Sequence, residues 1–537
     1  MGVGLFGAGG VLVVLGISSH LYVSRNRAAA DRDLVQSYER WEFSPEEIRS
    51  DVAFLEDLID RVHPEAVPSQ PLGDIGPELR RLAGEVEVSW TRLRLYRRLA
   101  PVVHAMNDEH VTVFPPEPAL ARYLEEGGGL FPLPVQFLQG RLYVAGARHR
   151  GAEADPGEER PRNRAGVGDR EGRSGWAGVP DGGSMSDRDG SHPALTTPTP
   201  KASQGPDRGT PPMIPPGSEI LSINGVPADE LRATMLDYYP GTREAQKVFY
   251  LQEHFSQALW FVHGLRGPFT VELQEPGTAG PVRRLVAGVN ALEPEPEASR
   301  WDPLPPDGIL LTWNAFEDPR GVFSDFLGEL FSAARDRNIR RLVVDLRGNQ
   351  GGAAAYGDQI LSYLTSLPFR QVLRSDVTVS PEVRKEFLSY VPPFLRWFPV
   401  QYIHPLLRPL WTTEEGRVAS MSFDPIHPDE NELRFAGEVV VLTGPGTMSS
   451  ASLFAATIQS HGLGVLVGEA TGGHATHYGN VVELHLPHTG LKVWVPTSVN
   501  HGNGTGPVVP DYQVYQTVPD LVDGRDTVLE MARNLGR

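Results

Sequence analysis

Between Pro45 and Val113 the apolar positions recur at helical spacing. Val52, Leu55, Leu58, Ile59 and Val62 mark one face of a helix, and Ser44-Pro45-Glu46-Glu47 supplies its start, with proline in the first turn and acids at the positive end of the dipole. A second helical stretch, Trp90 to Met106, runs into Asn107-Asp108-Glu109-His110 and a short β-type run, Val111 to Phe114. Leu130 to Leu138 and Gly140 to Val144 read as two strands around a turn at Gln139-Gly140. Pro216 to Val226 reads as a strand and an Asn-Gly turn, with a helix following through Leu231, and Trp260 to Val286 as further strands. From Asp307 onward strand and helix patterns alternate. Ile309–Trp313, Leu342–Leu346, Glu438–Leu442 and Val465–Val467 are apolar runs suited to strands buried on both faces. Val322–Arg335, Ala353–Leu367 and Ser450–Ser460 are the helices between them. This alternation predicts an α/β core with a mostly parallel sheet, preceded by an N-terminal helical segment and a β-rich region.

Two stretches break the pattern. Arg148 to Pro216 is dominated by Gly, Pro, Ser, Asp and Arg and carries few large apolar side chains, so burial there cannot offset ordering entropy; a disordered insertion is expected. Gly2 to Val23 is apolar and uncharged apart from His20, and is long enough to span a bilayer. No positive charge precedes it, as a cleaved signal peptide would have; a membrane anchor over residues 1–24 is the expectation. Arg25 and Arg27 follow it and, by the positive-inside rule, would keep the body cytoplasmic. That signal opposes the periplasmic or exterior location which the catalytic reading below implies.

Composition narrows the chemistry. A length of 537 residues suits two or three domains, and 40% hydrophobic with 22% charged residues suits a soluble body with polar inserts. A net charge of −18 argues against a nucleic-acid partner, which leaves a basic footprint. The absence of cysteine removes disulfides, thiolate catalysis and Cys-ligated zinc.

Three segments are left to carry chemistry. Gly444 to Ser452 (GPGTMSSAS) lies between a buried strand and a helix, so Ser449 is presented where α/β sheets place their sites. The N–H groups after it open a helix and suit an oxyanion; the competing reading of Ser449 is a helix N-cap. Asp345 to Gly352 (DLRGNQGG) is a strand running into a Gly-rich turn, where Gly351 or Gly352 could give a second oxyanion N–H. A phosphate loop or a plain tight turn fits the same residues, but the Lys and Ser/Thr of a P-loop are missing. The third segment is histidine. His110, His474 and His477 are candidate bases for a serine hydroxyl, which needs one to become a nucleophile. The His474/His477 doublet also invites a metal, but its neighbours offer only Glu469 and Glu483 and no HExxH, so no metal is assigned.

Together these segments resemble the tail-specific or C-terminal processing protease family, in the branch related to tricorn core domains and retinoid-binding-protein repeats. Leu342–Gly352 (LVVDLRGNQGG) looks like the family's strand and Gly-rich turn, and Val440–Ala456 (VVLTGPGTMSSASLFAA) like its nucleophile segment. Val467–Gly473 and Pro510-Asp511 fall in family order, and Asp108-Glu109-His110 resembles the Asp-x-His motif that carries the base. The resemblance implies a ClpP/crotonase-like core over 300–520, a helical domain over 45–115 and a PDZ-like domain over 128–290 interrupted at 148–216. It implies a serine endopeptidase acting on peptides or proteins near their C-termini and needing no cofactor. Ser449 would be the nucleophile, His110 or His474 the base, and Ser450 with Gly351 or Gly352 the oxyanion donors. A peptide carboxylate would be held near Gly127, Gly128 and Gly129. Two departures stand out. Ser452 replaces the family's Glu, and His474 occupies the place of the Lys of a Ser-Lys dyad. The acid that orients the base has no match, because Asn500 to Pro507 contains no Asp or Glu. These losses also admit an inactive relative, a membrane-tethered peptide- or ligand-binding scaffold. An acyl-transfer or isomerase enzyme on a similar core is a third reading.

Overall fold

A computed structural model of the chain describes residues 41–65, 67, 69–146, 214–290, 299–318, 321–389, 391, 395–396 and 399–536. The expected anchor over 1–24 and residues 148–213 of the insertion expected over 148–216 lie outside the described residues; 214–216 are described and lead into the sheet. Among the described residues no helix is long and apolar enough to cross a membrane.

The central sheet has six strands. Ser299–Leu304 pairs antiparallel with Gly308–Trp313, and from there each neighbour is parallel: Gly308–Trp313, Arg341–Asp345, Glu438–Thr443, Val465–Gly468 and Tyr512–Gln513. Both faces are covered, which is why these strands read as continuous apolar runs rather than alternating ones. Leu342, Val344, Val439, Val441 and Leu466 face a core that includes helices Phe323–Asp336, Ala354–Leu364 and Ser450–Ser460. Val343, Val440, Leu442 and Val467 face Val528 and Ala532 of the C-terminal helix Thr527–Asn534.

The N-terminal helices are Pro45–Val62, Gly76–Gly84, Arg92–His104 and Glu117–Glu125. The first opens as its sequence predicts. Ser44 Oγ accepts from the Glu47 N–H and the Glu47 carboxylate accepts from the Ser44 N–H, a reciprocal capping box. These helices share one core with a second, antiparallel sheet that the sequence pattern does not predict. Its path is Val418–Ser422, Arg374–Thr378, Lys492–His501 and Thr476–His485, with Thr112–Val113 added on Lys492–His501.

A third sheet is antiparallel throughout: Val135–Leu138, Arg141–Val144, Glu219–Ile223, Phe269–Gln274 and Val282–Val286, with Val226–Pro227 beside Glu219–Ile223. Its tight turns fall where expected, at Gln139-Gly140 (φ 52° and 79°) and Asn224-Gly225 (φ 51° and 81°). Trp260, expected in a strand, lies instead in the helix Phe255–Phe261. A short apolar run buried on most sides has no periodicity to tell helix from strand. The chain leaves this sheet after Gly146 and re-enters at Pro215. Val144 donates to the Ser218 carbonyl and accepts from the Gly217 N–H, both at 2.8 Å, so the two ends form a closed neck.

Candidate active site

Ser449 stands between the strand Glu438–Thr443 and the helix Ser450–Ser460. Two glycine-containing turns hold it. The Met448 N–H donates to the Asn349 carbonyl at 3.0 Å, and Thr447 Oγ1 donates to the Leu346 carbonyl at 2.8 Å. A Cβ on Gly351 would lie 2.7 Å from Ser449 Cβ, and one on Gly473 would lie 2.8 Å from the Ser449 nitrogen. Both glycines are therefore required by close approach to the turn. Ser449 itself has φ 49° and ψ −126°, a conformation that non-glycine residues rarely hold, and its side chain caps nothing. The N-cap reading of Ser449 therefore has no hydrogen bond behind it.

The Ser449 hydroxyl instead meets a histidine. Its Oγ lies 3.5 Å from Nε2 of His477, on the strand Thr476–His485. Nδ1 of His477 lies 3.1 Å from the His474 carbonyl, which can only accept, so Nδ1 carries the hydrogen and the Nε2 lone pair faces Ser449. Burial, reinforced by the neighbouring His110, pushes the His477 imidazole down to about 3; the His474 carbonyl and Asp108 oppose the shift. The ring is therefore neutral near pH 7, the state a general base needs.

Of the two histidines that the resemblance implies as base, His110 and His474, neither makes a hydrogen bond with Ser449 among the described residues. His110 stacks on His477 with ring centroids 5.7 Å apart and planes 20° apart. Its Nδ1 lies 3.7 Å from Glu109 Oε1 and 3.8 Å from Asp108 Oδ1, beyond hydrogen-bond reach. His474 turns its Nε2 to Thr242 Oγ1, 3.3 Å away, and serves His477 through its carbonyl. The residue pattern admits His477 as one of three candidate bases, but the resemblance assigns the role to His110 or His474. The sequence pattern assigns Glu109 no role of its own, although its carboxyl is buried and accepts from Gln246 Nε2. Burial raises the pKa of Glu109, opposed by His110 and Gln246.

The predicted oxyanion donors separate. The Gly351 N–H is already given to Asn349 Oδ1 at 2.8 Å, so Gly351 does not serve as a donor here. Neither the Ser450 N–H nor the Gly352 N–H takes part in a hydrogen bond among the described residues, and the Ser450 hydroxyl donates to the Gly352 carbonyl at 2.7 Å. These two amides are the available pair.

The predicted peptide-carboxylate cradle is not one. Gly127 N–H donates to the Leu124 carbonyl and Gly128 N–H to the Tyr123 carbonyl, both at 2.9 Å, and Gly129 N–H donates to the Tyr123 hydroxyl at 3.0 Å. With Gly127 at φ 85°, the run Gly127–Gly129 is the Schellman cap of helix Glu117–Glu125, and its amides are spent on it.

Residues 310–512 match the family model of Peptidase family S41. The chain carries a peptidase family S41 domain. An S41 domain is that of a serine peptidase, and Ser449, the two glycine turns and His477 all fall inside the matched span. Among solved structures, the fold of this chain is similar to that of a CPAF mutant, at a TM-score of 0.58 and 15% identity over 92% of this chain and 99% of that one. Mature CPAF matches at 0.53 and 16%, over the same shares. A photosystem II D1 C-terminal processing protease matches at 0.41 and 14%, over 91% and 97%.

Proposed function

We propose that this S41 protein is a serine endopeptidase that cleaves peptides or proteins near their C-termini, with Ser449 as nucleophile and His477 as general base. The observation that carries the reading is the Ser449 Oγ–His477 Nε2 contact on a strained strand-to-helix turn. Ser449 Oγ attacks the scissile carbonyl as its proton passes to Nε2 of His477, and the same proton is then delivered to the leaving amine. The Ser450 and Gly352 amides receive the oxyanion, at the start of a helix whose dipole favours negative charge. Among the described residues no carboxylate hydrogen-bonds His477; the His474 carbonyl fixes its tautomer instead. We place peptide recognition on the antiparallel sheet within 128–290, the region read as PDZ-like, where an extended peptide could add to an edge strand such as Val282–Val286. We assign membrane tethering to the apolar run over residues 1–24, with the body facing the periplasm or exterior.

Replacing Ser449 with Ala is expected to abolish both fluorophosphonate labelling and cleavage of peptides with free C-termini; undiminished cleavage would refute the assignment. His477→Ala should lower the labelling rate by about 10²–10⁴-fold, the usual worth of a general base. His110 is the alternative base, favoured by the Asp-x-His resemblance and by its stacking on His477. A large loss in His110→Ala with near-normal labelling in His477→Ala would transfer the role.

A further inference from the structure

Behind the His110–His477 stack lies a buried pair that the proposed reaction does not use. His63 follows the last residue of helix Pro45–Val62, and Asp108 opens the turn that carries His110. Their side chains are 4% and 0% exposed. His63 Nε2 lies 2.7 Å from Asp108 Oδ2, and His63 Nδ1 lies 2.6 Å from the Pro64 carbonyl oxygen. The other Asp108 oxygen accepts the His110 N–H at 2.7 Å. Both carboxylate oxygens are thus occupied, one holding His63 and one holding the backbone of His110.

His63 also touches the strand that carries His477. Its ring packs on Tyr478, with centroids 5.0 Å apart and planes 52° apart. The Tyr478 hydroxyl is itself anchored: it donates to the Gln70 carbonyl at 3.1 Å and accepts the Val67 N–H at 3.0 Å. One side chain therefore bears on the residue two before His110 and on the residue after His477. A buried polar pair of this kind contributes little net stability against an apolar replacement, but loses several kcal/mol when one partner is removed. Its use is more readily explained by geometry than by energy.

We propose that His63, acting through Asp108, is a positioning residue for the active site. It fixes the backbone of His110 and, by way of Tyr478, the register of His477, and so sets the stack that stands beside Ser449. The inference rests on the reading of Ser449 and His477 given above, and one set of variants separates the two.

Asp108→Asn keeps an oxygen for the His110 N–H. Its amide can donate to Nε2 of a neutral His63 whose Nδ1–H stays on Pro64, so the geometry survives although the carboxylate charge is gone. Asp108→Ala removes both contacts. Fluorophosphonate labelling of Ser449 in the full chain is expected to be near wild type in Asp108→Asn and about 10–100-fold slower in Asp108→Ala, the range seen when the support of a functional histidine is removed. With a peptide substrate the loss should fall on kcat and leave KM nearly unchanged. Should Asp108→Ala fail to fold, His63→Gln carries the test: it keeps one amide donor for Asp108, gives up Pro64, and should label at an intermediate rate. Hydrogen exchange at the His110 amide supplies a readout independent of activity. It should be protected in the wild type and in Asp108→Asn, and faster in His63→Gln. Equal impairment of Asp108→Asn and Asp108→Ala would overturn the proposal in favour of a charge effect. Wild-type labelling and exchange in His63→Gln would overturn it outright. A wild type that does not label, but whose His110 amide responds as described, would sink the reading of Ser449 and leave the positioning role standing.

Discussion

Ser449 holds a left-handed backbone conformation because its surroundings leave it no other. Gly351 and Gly473 lie so near that a Cβ on the first would crowd its Cβ and a Cβ on the second its nitrogen, while Met448 and Thr447 are tied to the Gly-rich turn. Gly351 also has φ 101°, which side chains rarely adopt. Gly351→Ala therefore forces the nucleophile to move. Since a displacement near 1 Å can cost about 10²-fold, fluorophosphonate labelling should fall by roughly that factor while the fold persists; labelling at the wild-type rate would show that the turn yields elsewhere. The serine and both glycine turns were legible because strand-to-helix junctions leave a local mark. His477 was not. Its ring direction depends on where the strand Thr476–His485 begins, and counting from Ser449 pointed to His474 instead. Gly127–Gly129 was misread although its signal was present. A glycine run directly after an amphipathic segment is the mark of a helix C-terminus, and Glu117–Glu125 is that segment.

The hairpin of Thr476–His485 and Lys492–His501 brings His477 to the core, and the N-terminal helix grips it through one carboxylate. Asp51, fully buried in helix Pro45–Val62, accepts from the His488 N–H at 2.9 Å, from the Thr489 N–H at 2.8 Å and from Thr489 Oγ1 at 2.6 Å. Asp51→Ala strands these donors at the hairpin turn, at about 1–3 kcal/mol for each one left buried and unmade. Denaturant unfolding should record a loss of at least that size, and a smaller loss in Asp51→Asn, which retains an acceptor; equal losses would show that packing rather than hydrogen bonding is at stake. Four strands of the central sheet and the helices between them could be read from the sequence because each is an apolar run or a periodic stretch of the right length; Ser299–Leu304 and Tyr512–Gln513, at the two edges, could not. The second sheet could not. Its strands come from Thr112–Val113, Arg374–Thr378, Val418–Ser422 and the hairpin, and pairings between such distant segments leave no mark in any local window.

At the scale of the whole molecule, His104 and His477, two of the buried imidazoles, link stability to pH. Burial pushes His104 down to about 3, with Lys247 adding to the shift and a backbone hydrogen bond opposing it, and His477 also sits at about 3. In the unfolded chain both return to about 6.5. Between those values the unfolded state binds more protons. Their contribution is thus complete above about pH 6.5 and is lost as pH falls toward 3. The Tm should decline from about pH 6.5 to pH 5, and more gently in His104→Gln, which removes one of the two titrations; a Tm flat over that range would contradict this. The neck at Val144 and Gly217 has a different kind of consequence. Since the chain exits and re-enters the sheet at one point, the order of strands is the same whatever the number of residues between Gly146 and Pro215. Closing a longer flexible loop costs only about 0.6 kcal/mol per doubling. This is the place where the gene can gain or lose codons in blocks while the Ser449 neighbourhood stays as it is.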